Sequence, residues 1–171
     1  MRFSPVPRYV FRELTDITPG FLDRLGVRFL MLDLDNTVAA YTEHSLDVDV
    51  AKWASDMKNN GIEMHIVSNS NRKWRVEKFA RALGVGFINS ARKPLPNSVL
   101  RLMRDMGFKG YESALVGDQV YTDAIAANLA KAVSLIVQPK RLSSPFLTLR
   151  YWIEAPFRAL CRNKQWLIAG D

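Results

Sequence analysis

The sequence has few of the residues that build disulfide frameworks or zinc sites. It contains one cysteine and two histidines among its 171 residues. A single cysteine, Cys161, excludes a disulfide within the chain and leaves no cysteine cluster for a metal ion. His44 and His65 are too few and too far apart to indicate a zinc site. His65 lies inside a predicted strand, where we expect it to pack against its neighbours.

Long apolar runs are also lacking. No run approaches the roughly 18 residues that a membrane-spanning helix needs, and residues 1–5 lack the apolar core of a signal peptide. We therefore expect a cytoplasmic protein, with peripheral contact at the inner face of the membrane as an open option. The sequence also lacks the glycine-rich motifs of P-loop and dinucleotide-binding proteins, which excludes those two modes of phosphate binding.

Acidic residues are fewer than basic ones, and the net charge is +7. A positive protein prefers anionic partners such as nucleic acid, lipid surfaces or phosphorylated substrates. Two segments carry most of the excess. Residues 72–81 hold five basic residues and one acid, and residues 140–171 hold six basic residues and two acids. Either segment also suits an ordinary solvated helix face, so both interpretations stay open here.

Apolar runs and helical patterns alternate along the chain through five cycles. Short apolar strands are predicted near residues 27–32, 62–67, 85–88, 113–116 and 133–137. Helices are predicted between them, with Trp53 and Trp74 on buried faces. This alternation is typical of the α/β class, a Rossmann-like doubly wound parallel sheet of about five strands. We expect one domain over residues 1–138, including an N-terminal lead-in.

Residues 139–171 are predicted to form a basic C-terminal tail. Pro145 and Pro156 interrupt it, and a short amphipathic helix is expected from Pro156 onward. Its apolar side would hold Phe157, Leu160, Cys161 and either Leu167 or Ile168. Such a helix suits a membrane surface, but it equally suits a segment that packs over the end of the domain.

Polar residues follow the predicted strands at the points where the strands end. They are Asp33 and Asp35 after the first strand, Ser68 and Asn69 after the second, Lys93 after the third, and Asp118 and Asp123 after the fourth. The carboxyl ends of parallel strands share one edge of the sheet, which is where ligands bind in this class. Clustered carboxylates repel one another unless a cation lies between them, and oxygen ligands favour Mg²⁺.

This set suits phosphoryl transfer. A carboxylate can attack phosphorus to form an aspartyl-phosphate, and a bound metal ion neutralises the phosphate charge. Ser68, Asn69 and Lys93 are candidates to hold the phosphate oxygens. Asp35, two residues from Asp33, is placed to protonate the leaving oxygen and then to deprotonate the attacking water.

These motifs resemble those of the haloacid dehalogenase superfamily. The pattern comprises Asp33-Leu34-Asp35-Asn36-Thr37, then Ser68, Lys93-Pro94 and the segment from Gly117-Asp118 to Asp123. The resemblance implies that Asp33 is the nucleophile, Asp35 the general acid/base, and Ser68 and Lys93 the phosphate-holding pair. It further implies that Mg²⁺ is bound by Asp118, by the side chain of Asp33, by the backbone carbonyl of Asp35 and, directly or through water, by Asp123.

The spacing between these motifs leaves no room for a cap domain. The segments between Thr37 and Ser68 and between Ser68 and Lys93 each have room for one helix and one strand. The site is therefore expected to be open, which suits a substrate too large to be enclosed, such as a protein, a nucleic acid or a lipid headgroup, or a site that a partner closes. With its opening Pro7-Arg8-Tyr9-Val10 and the segment Ala91-Arg92-Lys93-Pro94, the chain is also similar to the YqeG subfamily (subfamily IIIA).

The subfamily resemblance implies a phosphatidylglycerophosphate phosphatase of phosphatidylglycerol and cardiolipin synthesis. Its substrate would be an anionic lipid met at a membrane surface. Two alternatives remain at this stage. One is a phosphatase of a soluble nucleotide, sugar phosphate or other metabolite. The other is a non-enzymatic protein that binds RNA, anionic lipid or a protein through its basic faces. No specific nucleic acid is predicted as a partner.

Overall fold

The computed structural model describes residues 4–142, 144–161, 163 and 164. Its centre is a six-stranded sheet in which every neighbouring pair of strands is parallel. The strands are β1 (Tyr9–Phe11), β2 (Phe29–Leu32), β3 (Glu63–Val67), β4 (Gly86–Ile88), β5 (Ser113–Gly117) and β6 (Val133–Val137). Their spatial order is β1-β6-β5-β2-β3-β4. The predicted α/β class with a doubly wound parallel sheet is confirmed.

Helices cover both faces of the sheet. They are α1 (Pro19–Arg24), α2 (Val48–Asn59), α3 (Lys73–Leu83), α4 (Asn97–Asp105), α5 (Ile125–Leu129) and α6 (Pro145–Leu160), with 3₁₀ turns at Leu14–Asp16 and Gly110–Glu112 and a π-helical turn at Val120–Ala124. Each of the two segments between Thr37 and Lys93 holds one helix and one strand, α2 with β3 and α3 with β4. Neither of these fully described segments contains a cap domain.

Strand β2 connects the two apolar cores. Leu30 and Leu32 face the core that contains α2 and α3, whereas Phe29 and Met31 face the core that contains α4 and α5. All four side chains are fully buried, and burying such a side chain stabilises the fold by about 1.5–3 kcal/mol. The continuous apolar run therefore forms a strand covered on both faces, and its carboxyl end is fixed at the centre of the sheet.

The structure contains one strand more than the sequence predicts. Strand β1 lies in the predicted lead-in and pairs with β6 at the edge of the sheet. Its three residues give too short a pattern to distinguish a strand from an extended lead-in. The prediction for Trp74 is wrong, because this side chain is 59% exposed on α3. The prediction for Trp53 is confirmed, since it is buried and its Nε1 donates to the carbonyl of Ile17.

Helix α6 differs from the predicted tail. It begins at Pro145 rather than at Pro156 and continues through Pro156 to Leu160. Pro145 suits the first turn, because a backbone N–H at that position has no acceptor within the helix and its absence costs nothing. The hydroxyl of Ser144 caps the helix by accepting from the N–H of Leu147. Cys161 is buried against the main fold. Leu167 and Ile168 lie outside the described residues, and the division into residues 1–138 and 139–171 stays a prediction.

Candidate active site

The loop after β2 presents two carboxylates at the centre of the sheet edge. The N–H of Asp33 donates to the carbonyl of Val116 at 2.8 Å, which extends the β2–β5 ladder by one residue. The carbonyl of Leu34 then accepts from the N–H groups of Val38 and Ala39, each at 3.0 Å. Asn36 adopts a φ of 64°, which asparagine tolerates better than most residues. This turn places Asp33 and Asp35 in the wall of one cleft.

Lys93 connects two of the predicted carboxylates. Its Nζ lies 2.7 Å from Oδ1 of Asp33 and 2.6 Å from Oδ1 of Asp123, and all three side chains are buried. Asn69 fixes the backbone of Lys93 from both sides. Its Oδ1 accepts from the N–H of Lys93 at 2.7 Å, and its Nδ2 donates to the carbonyl of Lys93 at 2.8 Å. In this arrangement the amide of Asn69 is used to position Lys93.

Asp33, Asp118 and Asp123 form a buried carboxylate cluster. One oxygen from each side chain lies within 4.8 Å of the others. Oδ1 of Asp118 is buried without a hydrogen-bond partner in the described residues. A single ammonium group, that of Lys93, cannot neutralise three carboxylates. The cluster therefore fits a hard divalent cation, because carboxylate oxygens are the ligands such an ion prefers.

The electrostatics of the cluster agree with this fit. Burial, together with the charges of Asp123 and Asp35, raises the pKa of Asp33 to about 7, although the ammonium of Lys93 opposes the rise. Burial and the carboxylates of Asp33 and Asp123 raise the pKa of Asp118 well above its usual range. Burial alone would lower the pKa of Lys93, but the carboxylates of Asp123 and Asp33 outweigh it and raise that pKa. The site holds an excess of negative charge.

Gly117 at the end of β5 makes room for the cluster. A Cβ at this position would lie 2.1 Å from Cγ of Asp123. Asp123 lies in the π-helical turn Val120–Ala124, and its Oδ2 accepts from the N–H of Gln119 at 3.1 Å. π-Turns often occur at functional sites. The absent side chain of Gly117 therefore lets the carboxylate of Asp123 approach the strand end.

Asp35 makes an ion pair that the sequence did not reveal. Nε of Arg75 donates to Oδ1 of Asp35 at 3.1 Å. Arg75 belongs to the basic segment 72–81, for which a solvated helix face is one of the two interpretations, but its side chain is buried. A solvated position is therefore wrong for Arg75, whereas Lys78 and Arg81 are exposed. One indication was available from the sequence, since Arg75 lies four residues before Phe79 and so on the same side of the helix. In the structure the guanidinium lies 4.9 Å from the centre of that ring.

Helix α6 supports the loop after β5. The carboxylate of Glu154 accepts from the N–H groups of Val120 at 3.0 Å and Tyr121 at 3.1 Å. Arg158 donates to the carbonyl of Asp118 at 2.9 Å and pairs with Glu154 at 2.7 Å. The sequence offered one sign of this pair, a glutamate and an arginine at i,i+4 spacing in a helix. The partners in the loop, more than 30 residues away, could not be inferred.

Five of the predicted site residues line an open cleft with a volume of about 330 Å³, namely Asp33, Asp35, Ser68, Asn69 and Lys93, whereas Asp118 and Asp123 lie outside its lining. Ser68 follows β3, and its Oγ accepts from the N–H of Ser70 at 3.0 Å. The lining residues are Asp33, Asp35, Tyr41, Ser68, Asn69, Ser70, Arg72, Arg75, Lys93, Gln119 and Thr122. Burial and the charges of Asp35, Asp118 and Asp33 raise the pKa of Tyr41 to about 12. His65 lies outside the cleft lining, half-buried with its ring 5.8 Å from that of Phe29.

Comparison with known proteins connects this geometry to a family. The sequence profile of the haloacid dehalogenase-like hydrolases matches residues 8–131. The probable phosphatase YqeG of Bacillus subtilis (strain 168) is 33% identical over 143 residues, which cover 84% of this chain and 83% of the relative. The sequence matches span the strands that carry the site residues, and the parallel sheet agrees with them.

Two solved structures have the same fold. A cobalt-bound deoxy-D-mannose-octulosonate 8-phosphate phosphatase from Haemophilus influenzae gives a TM-score of 0.54 at 14% identity, covering 79% of this chain and 91% of its own. A 3-deoxy-D-manno-octulosonate 8-phosphate phosphatase from Moraxella catarrhalis was solved in complex with magnesium, phosphate and its sugar acid. It gives a TM-score of 0.54 at 15% identity, covering 84% of this chain and 79% of its own. At these identities the likeness shows the fold alone.

Proposed function

The chain belongs to the haloacid dehalogenase-like hydrolase family, and from this membership we propose a magnesium-dependent phosphatase that acts through an aspartyl-phosphate on Asp33. The expectation of an enzyme of this family, rather than a binding protein without activity, is confirmed. The observation that carries the proposal is the buried cluster of Asp33, Asp118 and Asp123 beside Lys93. The Moraxella catarrhalis phosphatase, whose fold this chain shares, binds magnesium and phosphate, and the same ion is proposed here.

Asp33 is the proposed nucleophile. One carboxylate oxygen forms a bond to phosphorus while the bond from phosphorus to the leaving oxygen breaks. The 2.7 Å contact between Lys93 and Asp33 places an ammonium group where it neutralises both the carboxylate and the incoming phosphate. The hydroxyl of Ser68, on the wall of the same cleft, is the proposed donor to a second phosphate oxygen.

Asp35 is the proposed proton carrier. It donates its proton to the leaving oxygen in the first step. In the second step it takes a proton from the water that attacks the acyl-phosphate, which releases inorganic phosphate and regenerates both carboxyl groups. The hydrogen bond from Nε of Arg75 to Oδ1 of Asp35 orients the carboxyl group and leaves its second oxygen to carry the proton.

The carboxylates of Asp33, Asp118 and Asp123, with the backbone carbonyl of Asp35, would hold the magnesium ion. When bound, the ion supplies positive charge that offsets the phosphate charge as it shifts in the transition state. The unpartnered Oδ1 of Asp118 and the oxygen-only donor set fit this role. Asn69 serves the site indirectly in this proposal, because its amide positions Lys93.

Phosphatidylglycerophosphate is the proposed substrate. The cleft is open, and neither segment between the motifs provides a cap that would enclose a small molecule. Arg72, on the cleft wall, offers a positive charge to an anionic headgroup. The resemblance of the sequence to the YqeG subfamily implies the same lipid. None of the described helices has the length and hydropathy of a membrane span.

A soluble sugar phosphate is the second candidate. The two solved structures described above are phosphatases of such a compound, and the cleft volume of about 330 Å³ lies at the small end of ligand sites. We rank this candidate second because neither the segment 37–68 nor the segment 68–93 contains a cap domain. Without a cap, the site of a small substrate stays open to water unless another part of the protein covers it.

A substrate panel tests the proposal. Phosphate release from phosphatidylglycerophosphate in mixed micelles is compared with release from glycerol 3-phosphate, a sugar-acid phosphate and p-nitrophenyl phosphate, each with Mg²⁺ and with chelator. We expect the lipid to give the highest kcat/KM and the chelator to abolish release. Asp33→Asn serves as the control for contaminating phosphatases. A preference for a soluble phosphate would replace the lipid assignment, and equal release in chelator would overturn the metal dependence.

A further inference from the structure

Helix α6 has one face that holds the active-site loop and another that faces solvent. Glu154 and Arg158 point inward, where they bind the backbone of residues 118–121. Five large apolar side chains are 52–69% exposed on the same helix: Phe146, Leu149, Trp152, Ile153 and Leu160. Residues 146, 149, 153 and 160 follow the helical period, so they lie along one stripe. We call these five side chains the apolar face of α6.

The surroundings of the apolar face are basic. Between residues 124 and 153 the sequence has four basic residues and no acid. Lys140 and Arg141 are exposed just before the helix. The guanidinium of Arg150 lies 5.8 Å from the centre of the Phe146 ring, so a positive charge lies beside the apolar stripe. Exposed aromatic and aliphatic side chains next to basic ones are the pattern of helices that lie in the interface of an anionic membrane.

The apolar face has a fixed position relative to the catalytic edge of the sheet. Glu154 and Arg158 bind α6 to the loop that carries Asp118. The N–H of Lys140, which precedes the helix, donates to the carbonyl of Asn36 at 3.0 Å. Helix α6 therefore borders the site rather than a remote part of the fold.

We propose that the apolar face of α6 docks on an anionic phospholipid bilayer, with Lys140, Arg141 and Arg150 in the headgroup layer. The proposal rests on the proposed function, since it explains how an open site meets a lipid phosphate. Docking brings the cleft to the bilayer surface because α6 is bound to the site loop. The interaction needs no membrane-spanning segment, because the helix lies in the plane of the interface.

Vesicle cosedimentation of the full chain tests the docking surface without any hydrolysis. Vesicles of phosphatidylcholine mixed with phosphatidylglycerol are compared with vesicles of phosphatidylcholine alone, both free of phosphatidylglycerophosphate. We expect at least tenfold stronger partitioning to the anionic vesicles. Trp152→Glu should weaken that partitioning at least tenfold, and Ile153→Glu should do the same. Circular dichroism confirms that each variant is folded.

Tyr111→Glu is the matched control. Tyr111 is exposed to a similar extent as Trp152, 62% against 68%. It lies in the 3₁₀ turn directly before β5, at the amino ends of the strands and so opposite the catalytic edge. This variant should bind vesicles like the parent chain. Equal binding by Trp152→Glu and Tyr111→Glu would overturn the proposal.

Light scattering distinguishes a second occupant of the same face. If the parent chain is an oligomer that ignores vesicles, and Trp152→Glu lowers its mass, the face is an interface between copies and the membrane proposal is wrong. Because binding is measured without a phosphate substrate, the result stands apart from the substrate panel. A chain that binds vesicles but hydrolyses only soluble phosphates would refute the proposed substrate and leave the docking surface intact.

Discussion

Arg75 donates a hydrogen bond from Nε to the carboxylate of Asp35 at 3.1 Å, and both side chains are buried. The same guanidinium donates to the carbonyls of Glu43 at 2.5 Å and Ala40 at 2.7 Å. Arg75 therefore ties the proposed proton carrier to the 40–43 segment. From these contacts we infer that Arg75 is a positioning residue for Asp35.

Replacing Arg75 should affect proton transfer more than substrate binding. We expect Arg75→Met to lower kcat for an alkyl phosphate by roughly 10²-fold, within the range ascribed to general acid catalysis. The loss should be smaller for p-nitrophenyl phosphate, whose leaving group needs no proton. Steady-state kinetics on both substrates compares the two losses in kcat. Arg81→Met, on the exposed end of α3, is the control, and equal losses on the two substrates would mean that Arg75 only supports the fold.

We expect the buried carboxylate cluster to lower the free energy of unfolding of the metal-free protein. In metal-free protein, Asp118→Asn replaces one of three neighbouring buried carboxyl groups, whose charged forms are costly to bury, so we expect its unfolding midpoint to rise by about 2–4 °C, equivalent to about 1 kcal/mol. Added Mg²⁺ should stabilise the parent chain by about 2.7 kcal/mol at a hundred times its Kd and leave Asp118→Asn much less affected. Calorimetry with and without Mg²⁺ checks both effects.

The control for the metal experiment is Asp105→Asn, an exposed acid at the end of α4. It should keep the full response to Mg²⁺. A parent chain whose midpoint does not change with Mg²⁺, or an Asp118→Asn variant that responds like the parent, would show that the cluster does not hold the ion.

Gly117 should not tolerate a side chain. The added Cβ of Gly117→Ala would lie 2.2 Å from Oδ2 of Asp123, so that carboxylate must move away from Lys93. We expect a loss of about 1–3 kcal/mol in the free energy of unfolding together with weaker Mg²⁺ affinity. Gly20→Ala, in α1 with no atom within 4 Å of the new Cβ, should be nearly neutral. Calorimetric titration with Mg²⁺ decides, and an unchanged affinity in Gly117→Ala would contradict the geometry.

The ion pair in α6 should matter far more than a surface pair of the same composition. Glu154 pairs with Arg158 at 2.7 Å inside the protein, and Glu77 pairs with Arg81 at 2.7 Å on the surface. Glu154→Gln leaves a buried guanidinium without its counter-charge and should cost about 3–5 kcal/mol. Glu77→Gln should cost less than about 1 kcal/mol. Denaturant unfolding compares the two, and equal losses would show that α6 does not support the site loop.

Much of the fold could be predicted because the parallel strands are buried on both faces. Continuous apolar runs such as Phe29–Leu32 follow directly from that environment. The candidate site followed from the same logic, since Asp33, Lys93 and Asp118 all lie just after strands. The structure brings Asp33, Lys93, Asp118 and Asp123 together, while the carboxylate of Asp35 pairs with Arg75 instead.

The features that sequence could not reveal depend on distant partners. Arg75 is 40 residues from Asp35, and Glu154 is 34 residues from Val120. A local pattern marks such residues only as charged positions on a helix. The start of helix α6 could not be predicted for a related reason. Pro156 favours a helix start at that residue, whereas the helix continues through Pro156. The buried ion pair between Glu154 and Arg158, on either side of Pro156, stabilises the helix there.

The measurement that tests the central claim most directly is detection of phosphate on Asp33. Asp35→Asn, incubated with p-nitrophenyl phosphate and Mg²⁺, should form the acyl-phosphate and hydrolyse it slowly, because the aryl leaving group needs no acid while the attacking water lacks its base. Acid quenching, digestion and mass spectrometry locate the phosphoryl group. The account predicts an alkali-labile phosphoryl group on Asp33. A phosphoryl group on Ser68, or none at any residue while product still forms, would contradict it.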